Sequence, residues 1–271
     1  MALDPAKLAE HVQDADFFEL PLGTHIAIPQ PFEACGLHLT KFMLLELVAA
    51  LLMLVIFIPL ARRIVHGGPP RGRLWNFFET ILIFVRNEMV RPAIGRHDGD
   101  RFLPFIWTLF FFILFCNLLG LLPWAGSPTG SFSVTAALAL IVFIVLVAAG
   151  MKKYGPVRFW LGFAPPMDLP PLMRVILVPM ILGLEIVGLM IRHCILAVRL
   201  LANMFAGHFV LAMILGFVLA TADSELWYGV TPAAVLGGTA VSMLELFVAF
   251  LQAYIFAFLA ALFIGMAVHQ H

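Results

Sequence analysis

FLPFIWTLFFFILFCNLLGLLPWAGSPTGSFSVTAALALIVFIVLVAAGM, from Phe102 to Met151, contains no Asp, Glu, Lys or Arg in fifty residues. As a single helix it would be roughly 75 Å long, against a bilayer hydrocarbon core of about 30 Å. The run must therefore fold back on itself, and Pro123-Trp124-Ala125-Gly126-Ser127-Pro128 supplies the turn. Two membrane spans result, 102–122 and 132–150. The fold class follows: an all-α polytopic membrane protein.

The remainder of the chain agrees. It is 62% hydrophobic and 12% charged, where a soluble domain carries about 25% charged residues. The net charge is zero, which gives no electrostatic basis for binding nucleic acid. Cys35, Cys116 and Cys194 are odd in number and share no metal-ligand spacing, so they read as small hydrophobes rather than a metal site. Residues 1–20 hold five acids, one lysine and no long apolar stretch, and so do not read as a cleavable signal peptide.

Loop charges order the spans. Residues 1–40 are polar, contain Pro21, Gly23, Pro29 and Pro31, and read as an external segment ahead of a membrane domain over 41–271. The first span, 42–61, is interrupted only by Glu46 and is followed by Arg62, Arg63, Arg71 and Arg73. The positive-inside rule makes that loop cytoplasmic. Residues 74–90 are amphipathic, with Asn76, Glu79, Thr80, Arg86 and Asn87 on one stripe, and predict an interfacial helix rather than a span. A basic loop, 91–101, keeps the chain inside until the charge-free run, and Lys152, Lys153 and Arg158 return it there. Pro165-Pro166 and Pro170-Pro171 punctuate the start of the next segment. Over 172–220 no turn signal occurs, since Arg192-His193-Cys194 has no Gly, Pro, Asn or Asp; one over-long, strongly tilted helix is expected. The loop 221–231 carries Asp223 and Glu225 and no basic residue, and a last long helix spans 232–268. Five crossings satisfy every loop, with the N-terminus outside and the C-terminus inside.

Within the fourth of these spans lies Arg199-Leu-Leu-Ala-Asn203-Met-Phe-Ala-Gly207-His208, and no Asp, Glu, Lys or Arg follows Arg199 until Asp223. A guanidinium at mid-membrane costs roughly 2.5–3.5 kcal/mol even on the lenient insertion scale, and it does not escape by losing its proton. Snorkelling or structural pairing is the bland alternative to a functional role. Glu185, Arg192 and Arg199 are spaced by seven and nearly share a helical face, with Asn203 roughly 40° further round. Ala202 and Ala206 form a small surface there that admits a neighbouring helix. His208, nine residues on, points to the opposite side roughly 13 Å along the axis. On the last helix Glu245 and Gln252 are seven apart and share a face. One permanent cation, two proton-carrying groups and amides between them form a set suited to proton conduction, with Arg199 repelling any cation that tries to cross its level.

At these residues the chain closely resembles subunit a of the F-type ATP synthases. The family's RLxxNMxAGH signature matches Arg199 through His208, and the likeness extends to Glu185, Ala197-Val198, Asn117-Leu-Leu-Gly-Leu-Leu-Pro123 and Leu251-Gln252-Ala-Tyr-Ile-Phe256. The order of segments agrees over nearly the whole chain. The resemblance implies a membrane stator that carries protons between two offset half-channels and converts protonmotive force into rotation of a c-ring. Arg199 would displace the proton from the ring carboxylate, Asn203 and Gln252 would flank it, and His208, Glu245 and Glu185 would lie along the proton path. Asn117 would line the outer half-channel. Implied partners are the c-ring, the peripheral-stalk b subunits, protons and the lipid bilayer. No cofactor, metal, nucleic acid or nucleotide is implied, and no GK[ST] phosphate loop occurs in the chain. With no targeting segment read at the N-terminus, the expected location is a bacterial inner membrane. Four positions depart from the family's usual pattern. Many bacterial members carry an acid at the position of His208 and a histidine at that of Glu245; here the two are exchanged, an arrangement resembling the mitochondrial form. Gly120 stands where many have an acid, and Arg192 where a lysine or a neutral residue is usual. A secondary transporter would predict internal repeats and broken helices, and an intramembrane enzyme would need HExxH, GxSxG or a Cys/His cluster; the sequence has none of these.

Overall fold

The computed structural model describes residues 17–20, 24–27, 40–65, 72–122, 126–162, 171–222 and 224–269. Cys35, His66 to Arg71, the turn residues Pro123 to Ala125, Pro165, Pro166, Pro170, Asp223 and the final Gln270-His271 lie outside them. Of the segment 1–40, what is described is mainly a short antiparallel hairpin, β1 (Phe17–Leu20) and β2 (Thr24–Ala27), with Phe17 opposite Ala27 and Leu20 opposite Thr24. Sequence reasoning saw only turn formers here.

Nearly all of the other described residues are helical. The elements are α1 (Lys41–Val65), α2 (Arg73–Phe84), a π-helical stretch Val85–Val90, α3 (Arg91–Ile94), α4 (Arg96–Gly120), a 3₁₀ turn Pro128–Gly130, α5 (Phe132–Tyr154), α6 (Pro156–Leu161), α7 (Pro171–Ala220) and α8 (Trp227–Val268). Five of them are long and apolar enough to cross a membrane: α1, α4, α5, α7 over Leu177–Ala220, and α8. Only 17% of the most apolar window of α1 and 28% of that of α5 are buried within the chain, so their outer faces need lipid or a partner to cover them. The α2 helix is not among the spans. Together with the π-helical stretch it buries Val85, Met89 and Val90 and exposes Asn76, Asn87 and Glu88, as an interfacial helix should.

Two boundaries differ from the sequence reading. The basic segment 91–101 is not a loop: α3 and the first turn of α4 run through it, broken only at Gly95, whose φ of 94° is open to glycine and disfavoured for other residues. Charged side chains do not break a helix; a backbone at positive φ does. Similarly, α8 starts before Pro232. Its first i→i−4 bond runs from Val230 N–H to the Leu226 carbonyl at 2.9 Å, and a proline so near the start removes one N–H close to a terminus already short of partners.

The chain divides into two compact units. One comprises residues 1–70, 111–135 and 199–253, packed around Phe111, Ile113, Leu200, Met204 and Ala249. The other comprises 71–110, 136–198 and 254–271. Its core includes Ile106, Phe159, Leu189 and the alanines Ala257, Ala260 and Ala261, and a Cβ on Gly265 would overlap the Ala93 carbonyl. Tyr154 ties α5 to the end of α8 by donating to the Val268 carbonyl at 2.8 Å.

Candidate functional site

The first unit gathers most of the singled-out residues. The α7 helix contributes Arg199, Asn203 and His208 within about three turns, α8 contributes Glu245 and Gln252 two turns apart, and α4 ends on Asn117 and Gly120. Gln252 is buried, and its Oε1 accepts a hydrogen bond from Asn203 Nδ2 at 2.7 Å. This pins α7 to α8 one turn beyond Arg199. Arg199 itself is half-buried, and its guanidinium makes no hydrogen bond or ion pair among the described residues. A permanent cation has thus been placed on an apolar helix, with its two amide neighbours engaged with each other.

His208 lies between two carbonyls. Nδ1 is 2.9 Å from Met204 O in the preceding turn, and Nε2 is 2.8 Å from Gly120 O at the end of α4. A carbonyl oxygen only accepts, so both contacts are hydrogen bonds when both ring nitrogens carry hydrogen, and only one is when the ring is neutral. Glu245 is 8% exposed, and its Oε1 is buried with no hydrogen-bond partner among the described residues. The carboxylate rests on the backbone of Gly207: a Cβ there would overlap Oε1 and come within 2.9 Å of Cδ. The group is also within electrostatic reach of His208. The conspicuous Gly207 is therefore the floor on which an acid sits.

Asn117 is fully buried. It donates to the Ala249 carbonyl on α8 at 3.3 Å and accepts from Thr129 Oγ1 at 2.7 Å. Thr129 Oγ1 is in turn 2.7 Å from Ser127 Oγ. Ser127 fills the space beside Gly120, where an added Cβ would come within 2.5 Å of Ser127 Cβ and 2.7 Å of its hydroxyl. The position of Gly120 is thus closed to a side chain, and a Ser–Thr–Asn chain of hydrogen bonds stands beside it. Sequence reasoning passed over Ser127 and Thr129 because both sit in what reads as a turn. Their signal was a cluster of hydroxyl residues, Ser127, Thr129 and Ser131, with no charge among them.

Glu185 is not brought into this group. It belongs to the second unit, is half-buried, and makes no hydrogen bond or ion pair among the described residues. Arg192, in the same unit, is exposed. Beside it His193 is buried, with Nδ1 on the Leu189 carbonyl at 2.9 Å and its ring packed against Phe143 and Phe263.

The sequence profile of the family ATP synthase A chain matches residues 43–265. Among curated proteins, the ATP synthase subunit a of Anaeromyxobacter dehalogenans is 40% identical over 234 residues, 86% of this chain and 58% of the relative. That of Myxococcus xanthus is 38% identical over 251 residues, 90% of this chain and 78% of the relative. The protein of the same name from Chloroherpeton thalassium is 37% identical over 273 residues, covering 98% of this chain and 78% of its own length. The chain thus spans little more than half of the first relative and about four-fifths of the other two.

Proposed function

Because the chain belongs to the ATP synthase A chain family, we propose that it is the proton-conducting stator subunit of an ATP synthase membrane sector. It works beside a c-ring and a peripheral stalk and turns protonmotive force into ring rotation. The chain carries no chemistry on nucleotides; its part is to move protons and to hold one charge still. The membrane in question is a bacterial inner membrane, with the N-terminus outside and the C-terminus in the cytoplasm.

The observation that supports this best is Arg199. Half-buried on an apolar helix and without an acceptor of its own among the described residues, it suits an acid brought by another subunit. Facing a ring carboxylate, it favours the ionised form, so the proton must leave before that ring subunit passes. It also raises the barrier to a proton slipping directly between the half-channels. Asn203 and Gln252, bonded to each other at 2.7 Å, hold the helix pair together beside the cation. His208 and Glu245, with Asn117, Thr129 and Ser127 near them, form the outer half of the path, and Glu185 in the second unit belongs to the inner half.

Arg199→Ala tests the reading in sealed vesicles containing the assembled complex. Moving one charge through 100 mV is worth about 2.3 kcal/mol, so even a modest fall in the barrier is measurable as leak. The variant is expected to lose proton-driven ATP synthesis while passive proton conductance persists or rises. Lys at this position is expected to substitute poorly, because an ammonium can lose its proton in a low-dielectric site and lacks the planar fork. An assembled Arg199→Ala complex that makes ATP at a comparable rate would refute the mechanism.

A further inference from the structure

Where the interfacial helix passes into α4, a cavity of about 460 Å³ is lined by Asn87, Arg91, Pro92 and Arg96. Of the acids nearby, Asp98 and Asp100 are already engaged, and Glu88 is exposed and makes no ion pair with Arg91 or Arg96 among the described residues. Asp100 receives two hydrogen bonds from Arg86, at 3.1 and 3.0 Å, and Asp98 receives one from Lys153 at 2.8 Å. Asp100 is within electrostatic reach of Arg91, but Arg86 already grips both of its oxygens. Arg91 gives one Nη1–H to Asn87 Oδ1 at 3.1 Å, and its Nε is buried without a partner among the described residues. Arg96 is exposed, and neither it nor Arg91 forms a salt bridge with a carboxylate among the described residues. With Asn87 Oδ1 occupied, the side-chain polar groups left to the cavity are donors: two guanidiniums and an amide NH₂. Such a set fits an anion with several oxygens, and guanidiniums bind phosphate through paired, parallel N–H···O bonds.

Depth selects the source of that phosphate. Arg96 is six residues before Phe102, the first residue of the charge-free run, which is roughly 9 Å along a helix. The headgroup layer begins at the edge of the hydrocarbon core and is about 5–8 Å thick on each side, so the Arg96 backbone stands at its outer edge and the long arginine side chain reaches back to the level of lipid phosphates. The helix leading into it exposes Phe77, Ile83 and Phe84, an apolar surface for an acyl chain. We propose that Arg91 and Arg96, with Asn87, bind the phosphate of an anionic phospholipid on the cytoplasmic face. The inference rests on α4 crossing a membrane and not on the proton path.

The test counts lipids. The intact complex is purified in mild detergent, incubated with phosphatidylglycerol, phosphatidylcholine or inorganic phosphate, and examined by native mass spectrometry. Wild type is expected to retain one more phosphatidylglycerol per copy of this chain than Arg96→Gln. The apparent affinity of the variant should fall about tenfold, as for loss of one charge-assisted hydrogen-bonding group. Arg96 makes no side-chain hydrogen bond among the described residues, so its replacement removes nothing from the packing; Arg96→Lys should keep part of the effect. Equal retention by wild type and Arg96→Gln would overturn the proposal. So would inorganic phosphate displacing the lipid from wild type and Arg96→Gln alike, or equal retention of phosphatidylcholine. Because lipid count is read apart from ATP synthesis, failure here leaves the stator reading untouched, and the converse holds too.

Discussion

At the scale of single residues, the few polar groups on the long apolar helices differ sharply in their surroundings. Arg199 has no acceptor among the described residues, His208 has two carbonyls, and Glu245 has a glycine floor and one bare oxygen. For His208 the geometry means that loss of a proton costs one of two hydrogen bonds, at 2.9 or 2.8 Å. The ring keeps at least one hydrogen bond in either state. Glu245→Gln is therefore expected to lower proton flux and ATP synthesis without preventing assembly, since the amide is isosteric but cannot exchange a proton. His208→Glu combined with Glu245→His should recover part of the loss, because both carriers remain. Vesicle assays across neutral pH check this, and wild-type rates for Glu245→Gln would make the residue structural. The residue types were legible in the sequence because a charge at membrane depth is expensive and conspicuous. Their partners were not: the carbonyl on His208 Nε2 comes from Gly120, 88 positions away, and every carbonyl looks alike in a sequence.

At the scale of elements, the end of α4 and the turn after it act together. Gly120 has no room for a Cβ because Ser127 occupies the space, and the carbonyl of the same Gly120 holds His208. Gly120→Ala should push the turn away, disturb the Ser127–Thr129–Asn117 chain and shift the carbonyl off the imidazole. An overpacking cost of about 1–3 kcal/mol is expected. Ser127→Gly made in the same chain should relieve much of it, giving a coupling of about 0.5–3 kcal/mol in a double-mutant cycle read by thermal unfolding of the purified complex. Additive effects would show that the two positions do not share the space. The long helices α7 and α8 were readable from the absence of turn formers, and α2 from its stripe of polar residues. The helical course of 91–101 was not, because a run of charges outside the membrane reads equally as helix or loop. Arg and Asp are compatible with a helix, and only Gly95 interrupts it.

At the scale of the whole molecule, five helices are long and apolar enough to cross a membrane, and the proposed odd number of crossings would put the two ends of the membrane domain on opposite sides. Single cysteines placed in a background lacking Cys35, Cys116 and Cys194 test the orientation with membrane-impermeant reagents. Positions near Arg62 and Lys152 should label from the cytoplasmic face and positions near Glu225 from the outer face. Labelling at position 192 from the outside, or both termini on one side, would overturn the five-crossing order. Fold class and helix order were determined by the sequence alone. Hydrocarbon leaves no backbone group to be satisfied by water, so long apolar runs without strand alternation cross it as helices, and their lengths count the crossings. The sequence likewise determined that Arg199, His208 and Glu245 are the residues to explain. Only tertiary structure decided that Asn203 meets Gln252, that Glu245 rests on Gly207, that Ser127 fills the space beside Gly120, and that Arg91 and Arg96 line one cavity. Those pairings depend on the rotation and register of helices about one another. Apolar packing sets both, and helix faces of leucine, alanine and phenylalanine carry too little distinctive chemistry for a linear reading to tell one register from the next.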